Sequence, residues 1–200
     1  MFEIKTKRVE QADEKTEVTL KIMHSLPSWF SPPEDIDKKA IVHREYPFFA
    51  AYDEDKPIGF IVLKIHNEYA VEIFNVGVLE QYHRQGIGRH LLKAAERYCA
   101  DNGFLYLTVK TLDASAEYEP YERTRLFYKK MGFIPLEVFK ALWNEENPCL
   151  FLVKRLQEQQ DILSALQADP FFSEANQERL QRAAARMELT GGTVHGLIDI

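Results

Sequence analysis

The turn around Gly86-Ile87-Gly88 constrains this chain more than any other stretch of it. An apolar run ending at Val78-Leu79 reads as a strand. Beyond the glycines, Ile87, Leu91, Ala95 and Tyr98 fall on one face of a helix that Asn102-Gly103 stops. Glycines let the backbone amides of such a turn converge on one point without Cβ obstruction. The helix start adds unpaired N–H groups and the positive end of the dipole. The segment is therefore an anion cradle of pyrophosphate size, with Arg84, Arg89 and Lys93 as sources of charge.

Two familiar phosphate loops do not fit. A Walker loop requires Gly-Lys-Ser/Thr after its spacer, which is absent, and a dinucleotide loop requires a third glycine where Leu91 stands. Composition narrows the classes further. With 25 basic against 31 acidic residues and a net charge of -6, the chain lacks the basic surplus of a nucleic-acid binder. Cys99 and Cys149 form no Cys-x-x-Cys pair, so neither a disulfide framework nor a cysteine zinc site is expected. The six histidines show no metal-ligand spacing. No apolar run reaches the roughly 18 residues of a membrane helix, and no signal sequence opens the chain. A soluble cytoplasmic protein without membrane or nucleic-acid partners is the expectation.

The remaining segments arrange themselves around the loop. Residues 2–9 alternate as a strand does, residues 13–26 and 34–45 carry helical spacing, and residues 47–52, 58–65 and 69–79 read as three strands. After the loop helix come a strand at 104–112, a helix at 121–131 stopped by Gly132, and two strands at 133–143 and 149–155. Strands interleaved with helices predict an α/β layered domain with a mixed sheet, closing near Leu156.

In order and in motif, residues 1–156 resemble the GNAT superfamily of N-acetyltransferases. Its acetyl-CoA loop has the pattern Gln/Arg-x-x-Gly-x-Gly/Ala at a strand-to-helix turn, matched here by His83-Arg-Gln-Gly-Ile-Gly88 with His83 in the Gln/Arg position. Arg125-Leu-Phe-Tyr-Lys-Lys-Met-Gly-Phe133 is similar to the family's second motif. The resemblance implies a mostly antiparallel seven-stranded sheet flanked by helices, with acetyl-CoA as acyl donor and no metal.

Direct attack of an amine on a thioester needs a base for the amine, donors for the developing oxyanion and an acid for the departing thiolate. By resemblance, Gly77, Val78 and Leu79 hold the acyl-pantetheine arm, with the Val78 or Leu79 amide as carbonyl donor. The amides of Gln85, Gly86, Ile87, Gly88, Arg89 and His90 hold the pyrophosphate, and Arg84 adds charge. Tyr128, four residues before Gly132-Phe133, stands where the family places its thiolate-protonating tyrosine. Tyr121 and Thr124 share its helix face, where a coenzyme A contact is expected. Glu72, fourteen residues before Gly86, matches the glutamate base of the histone-acetylating branch, with a water chain as the alternative. The acceptor is a small-molecule or peptide amine. Trp29, Phe30, Trp143 and Glu145 flank its expected entry and hint at a cationic amine.

Residues 157–200 differ in composition, holding three arginines against seven acidic residues. They read as a helix at 157–168, a break at Asp169-Pro170, a second helix at 174–189 and a short final strand. The stretch from Asp169 to His195 resembles the toxin-binding tail of RelB/DinJ-type antitoxins, which implies a toxin-like protein partner. A tail that docks on its own domain or across a homodimer is the other expectation, and an interaction protein on a degenerate acetyltransferase scaffold is the non-enzymatic one.

Overall fold

The structure is a computed structural model and describes residues 4–30, 32–156 and 174–190. Contacts divide the chain into two compact units, 1–156 and 157–200. In the first, strand β1 (Ile4–Val9) leads to helices α1 (Ala12–His24) and α2 (Pro33–His43). Strands β2 (Phe48–Asp53), β3 (Lys56–Ile65) and β4 (Ala70–Val78) follow, then α3 (Ile87–Asp101) and β5 (Tyr106–Leu112). Helix α4 (Glu119–Lys130) and the hairpin β6 (Ile134–Asn144) and β7 (Asn147–Arg155) complete the unit.

The seven strands lie in the order β1-β2-β3-β4-β5-β7-β6, and only β4 and β5 run parallel. This is the expected mixed, mostly antiparallel sheet. Its single parallel pair is joined through α3, since a parallel step cannot be closed by a hairpin. Helix α4 begins two residues earlier than the spacing of its apolar residues suggests. Pro120 accounts for that, because its fixed φ suits the first helical turn.

Each face of the sheet has its own core. Val71, Ile73, Leu91, Ala95, Cys99, Leu107, Val109 and Tyr128 belong to one cluster, on the side of α3 and α4. Val18, Ile22, Met23, Ile36, Phe48, Phe60 and Val62 belong to the other, on the side of α1 and α2. Cys99 and Cys149 are buried free thiols, and burial pushes the Cys99 thiol up to about 12. Edge strand β6 is exposed along almost its whole length, with Ile134 and Leu136 in solvent.

In the second unit the described element is α5 (Glu174–Thr190), which contains the surface pair Glu178–Arg182 at 2.8 Å. The expected helix at 157–168, the break at Asp169-Pro170 and the final strand lie outside the described residues. No helix among the described residues is long and apolar enough to cross a membrane.

Candidate active site

Strands β4 and β5 pair from Ala70↔Tyr106 to Ile73↔Val109 and no further. Beyond that point β4 continues against β3 as far as Val78, and β5 continues against β7 as far as Leu112. The two strands therefore diverge. Between them opens a cleft of about 570 Å³, walled by β4, β5 and α4, by the turn after α1, and by the start of α3.

A bulge in β4 accompanies the divergence. Val62 stands opposite Asn75 and Leu63 opposite Ile73, so Phe74 is an extra residue. An inserted residue puts two consecutive side chains on one face and bends the strand. Phe74 accordingly meets the His43 ring edge-on, and Asn75 Oδ1 accepts from His43 Nε2 at 2.8 Å. His43 is wholly buried, and that burial lowers its pKa to about 4. The ring is thus neutral. Donating from Nε2, it accepts at Nδ1 from the Thr19 hydroxyl, 2.9 Å away.

At the other end of β4 lies the loop. The Leu79 amide donates to Ile58 O at 2.9 Å, on the β3 side. Peptide groups along a strand alternate between its two edges, so the amides of Val78 and Val76 face the opening. Of the two expected carbonyl donors, Leu79 is therefore committed to the sheet, and its side chain is buried outside the cleft. Val76 was not anticipated; the alternation that identifies it needs the register of β3, which the sequence does not display.

His83 Nε2 donates to Val78 O at 2.7 Å and ties the loop to the strand end. Arg84 and Gly86 both take left-handed backbone, with φ of 61° and 87°. The Gly86 carbonyl accepts from the His90 amide at 3.0 Å. No backbone carbonyl among the described residues takes the amides of Ile87, Gly88 or Arg89, which are left as donors at the helix start. Gly88 lets the helix start pass close to α4, since a Cβ there would stand 3.2 Å from the Phe127 ring and press on it. Arg84, Gly86, Ile87, Gly88 and Arg89 line the cleft. Gln85 and His90 turn their side chains to the loop backbone, at Gln81 O and Gly86 O.

Helix α4 supplies the opposite wall with Tyr121, Thr124 and Tyr128. The Tyr128 ring is 3% exposed and lies edge-on to Phe127 and Phe133. Burial, with a smaller contribution from Tyr121, holds its phenol well above the ordinary tyrosine value, so it keeps its proton. The Tyr121 hydroxyl donates to Trp29 O at 3.1 Å, joining α4 to the turn after α1.

Glu72 is placed apart from these groups. It lies in the paired half of β4, between Val71 and Ile73, whose side chains belong to the Tyr128 cluster; strand alternation sends the carboxylate to the other face. There its Oε2 accepts from Lys110 Nζ at 2.8 Å and from His66 Nε2 at 2.6 Å, and it does not line the cleft. Trp29 and Phe30 do line it, whereas Trp143 and Glu145 of the β6–β7 hairpin do not. Its charged residues are Arg84, Arg89, Lys110, Arg123 and Lys130, with no carboxylate among the described lining residues.

The Acetyltransferase (GNAT) family model matches residues 16–133, more than half of the chain. An uncharacterized N-acetyltransferase of Chlorobaculum tepidum is 28% identical over 112 residues, covering 54% of this chain and 65% of that protein. This chain thus spans just under two thirds of that relative's length. The ribosomal-protein-S18-alanine N-acetyltransferase of Escherichia coli superposes with a TM-score of 0.62 at 15% identity, covering 78% of this chain and 96% of that one. A GNAT family acetyltransferase of Elizabethkingia anophelis, solved with acetyl-CoA bound, gives 0.59 at 21% identity, covering 76% and 97%. Likenesses at these identities speak for the fold.

Proposed function

Starting from a chain that belongs to the acetyltransferase (GNAT) family, we propose that it moves an acetyl group from acetyl-CoA to a primary amine by direct attack in a ternary complex. One observation carries this reading: a single cleft has unpaired helix-start amides at one end and a buried, protonated tyrosine in its wall.

The amides of Ile87, Gly88 and Arg89 with the guanidinium groups of Arg84 and Arg89 hold the pyrophosphate. The arm between pyrophosphate and thioester runs along the open edge of β4, where it takes the place of β5 as partner for the Val76 and Val78 amides. One of these amides polarises the acyl carbonyl. The amine nitrogen bonds to that carbon, the carbon–sulfur bond breaks, and the sulfur takes the phenolic proton of Tyr128. Orienting both reactants in one cleft supplies much of the acceleration.

The proton lost by the amine goes first to water in the cleft, and water in turn returns a proton to the Tyr128 phenolate. This reading is favoured over direct transfer to Glu72, whose carboxylate already holds two donors on the other face. Without a carboxylate among the described lining residues, an amine on an uncharged, partly aromatic skeleton fits the cleft better than a polycation.

The test is amine-dependent release of free thiol from acetyl-CoA across a panel of arylalkyl, peptidyl and polycationic amines, with Tyr128→Phe as control. Turnover with at least one uncharged-skeleton amine, lost in the control, is expected. Absence of acetyl-CoA binding by calorimetry would sink the reading.

A further inference from the structure

Two buried side-chain oxygens among the described residues have no hydrogen-bond partner, Thr6 Oγ1 and Thr111 Oγ1. Thr6 lies on β1 and does not line the cleft, whereas Thr111 does. Thr111 stands on β5 two residues past Val109, the last residue paired with β4, and is 3% exposed.

Its backbone is accounted for. The Asp113 amide donates to Pro148 O on the β7 side, and alternation turns the Thr111 peptide groups to the same edge. Its side chain shares the face of Val109, in the Tyr128 cluster. The hydroxyl is therefore the group left over, buried in the wall of the opening. Valine has the same shape and suits a strand at least as well. A hydroxyl at such a place is a net cost to the free protein unless something else bonds to it.

On the opposite wall of the cleft, the Tyr121 hydroxyl is already given to Trp29 O. Thr111 is two residues past the last β4–β5 pair, and with the Phe74 bulge inserted in β4 it stands across the divergence from the Asn75–Val76 stretch, where any chain laid between the two strands must pass.

We infer that Thr111 is a binding residue for the acyl donor, its hydroxyl donating to a carbonyl oxygen of the acyl-pantetheine arm. This rests on the acetyl-CoA reading of the cleft and adds a side-chain contact from β5 to the backbone contacts from β4.

The experiment is calorimetric titration of the full chain and its Thr111→Val and Thr111→Ser variants. The two ligands are acetyl-CoA and adenosine 3′,5′-bisphosphate, which lacks the arm. A single neutral hydrogen bond corresponds to a loss of roughly three- to tenfold in acetyl-CoA affinity for Thr111→Val. Thr111→Ser keeps the hydroxyl and should stay within about twofold of the parent, and the bisphosphate should bind all three proteins alike. The ligand-free Thr111→Val protein should melt at or above the parent temperature, the opposite sign to its binding defect. Unchanged acetyl-CoA affinity in Thr111→Val overturns the inference, as does an equal loss for both ligands. If the parent itself fails to bind acetyl-CoA, the acyltransferase reading falls and takes this one with it. The other outcomes leave that reading standing.

Discussion

The two halves of the β4–β5 pair are built from the same kinds of residue and do different things. In the first half the strands are bonded in register, and Glu72 is held by two donors, Lys110 of β5, one residue past the last pair, and His66 of the β3–β4 turn. In the second half the strands part, and backbone amides, a threonine hydroxyl and a tyrosine are left facing a cleft. The difference teaches where donors are left over for a ligand. A carboxylate with two partners contributes to the scaffold, while a phenol or an amide without one is available to a ligand.

Four substitutions break or sharpen this contrast. The largest effect belongs to the open half: Tyr128→Phe should lower kcat by about 10²–10⁴-fold, as loss of a general acid does, with acetyl-CoA affinity and melting temperature near those of the parent. A parallel fall in stability would make Tyr128 a packing residue only.

Next is the point where the strands part, where His43 holds Asn75. Its pKa of about 4 in the fold lies below the ordinary 6.5, so the unfolded chain binds the extra proton first as pH falls. The neutral ring's contribution is whole above pH 6.5 and is lost as pH drops toward about 4. That amounts to about 3 kcal/mol. Urea unfolding at several pH values should show this slope in the parent and a flatter one in His43→Gln; equal slopes would remove His43 from the account.

The closed half comes third. Glu72→Gln keeps the shape and removes the charge from a mostly buried pair, which should cost about 1–2 kcal/mol of stability. Turnover at saturating substrates should hold its pH profile. A profile that loses its acidic limb in this variant would return Glu72 to the role of base.

The smallest effect is expected at Gly88→Ala, whose Cβ would press the Phe127 ring at 3.2 Å. A loss of about 1 kcal/mol is expected, with weaker acetyl-CoA binding where the displaced Phe127 ring crowds the cleft it lines. Stability without change would show that the α3–α4 contact is slack.

Much of this was legible in the sequence. The loop glycines, the strand before them and the helix after them are local signals, and the structure places them as read. That Tyr128 lines the cleft agrees with the expectation drawn from its distance to Gly132-Phe133. What was not legible depends on register. Whether Glu72 lies in the paired or the parted half of β4 is decided by where β5 leaves it. Whether Leu79 or Val78 offers its amide is decided by β3. The bulge at Phe74 reverses the strand's inside–outside pattern midway, so counting by twos from Glu72 misplaces Asn75. Thr111 carries no motif at all, and its interest arises only from burial without a partner.

The brevity of the β4–β5 pairing has a mechanical side. Four register pairs join a block of β1 to β4 to a block of β5, β7 and β6, and past them no further β4–β5 pairing ties the two blocks. A ligand lying along both open edges acts as a brace between blocks. Hydrogen exchange on the far ends of β4 and β5 should slow together when it binds, and the whole unit should gain resistance to unfolding as the logarithm of ligand concentration.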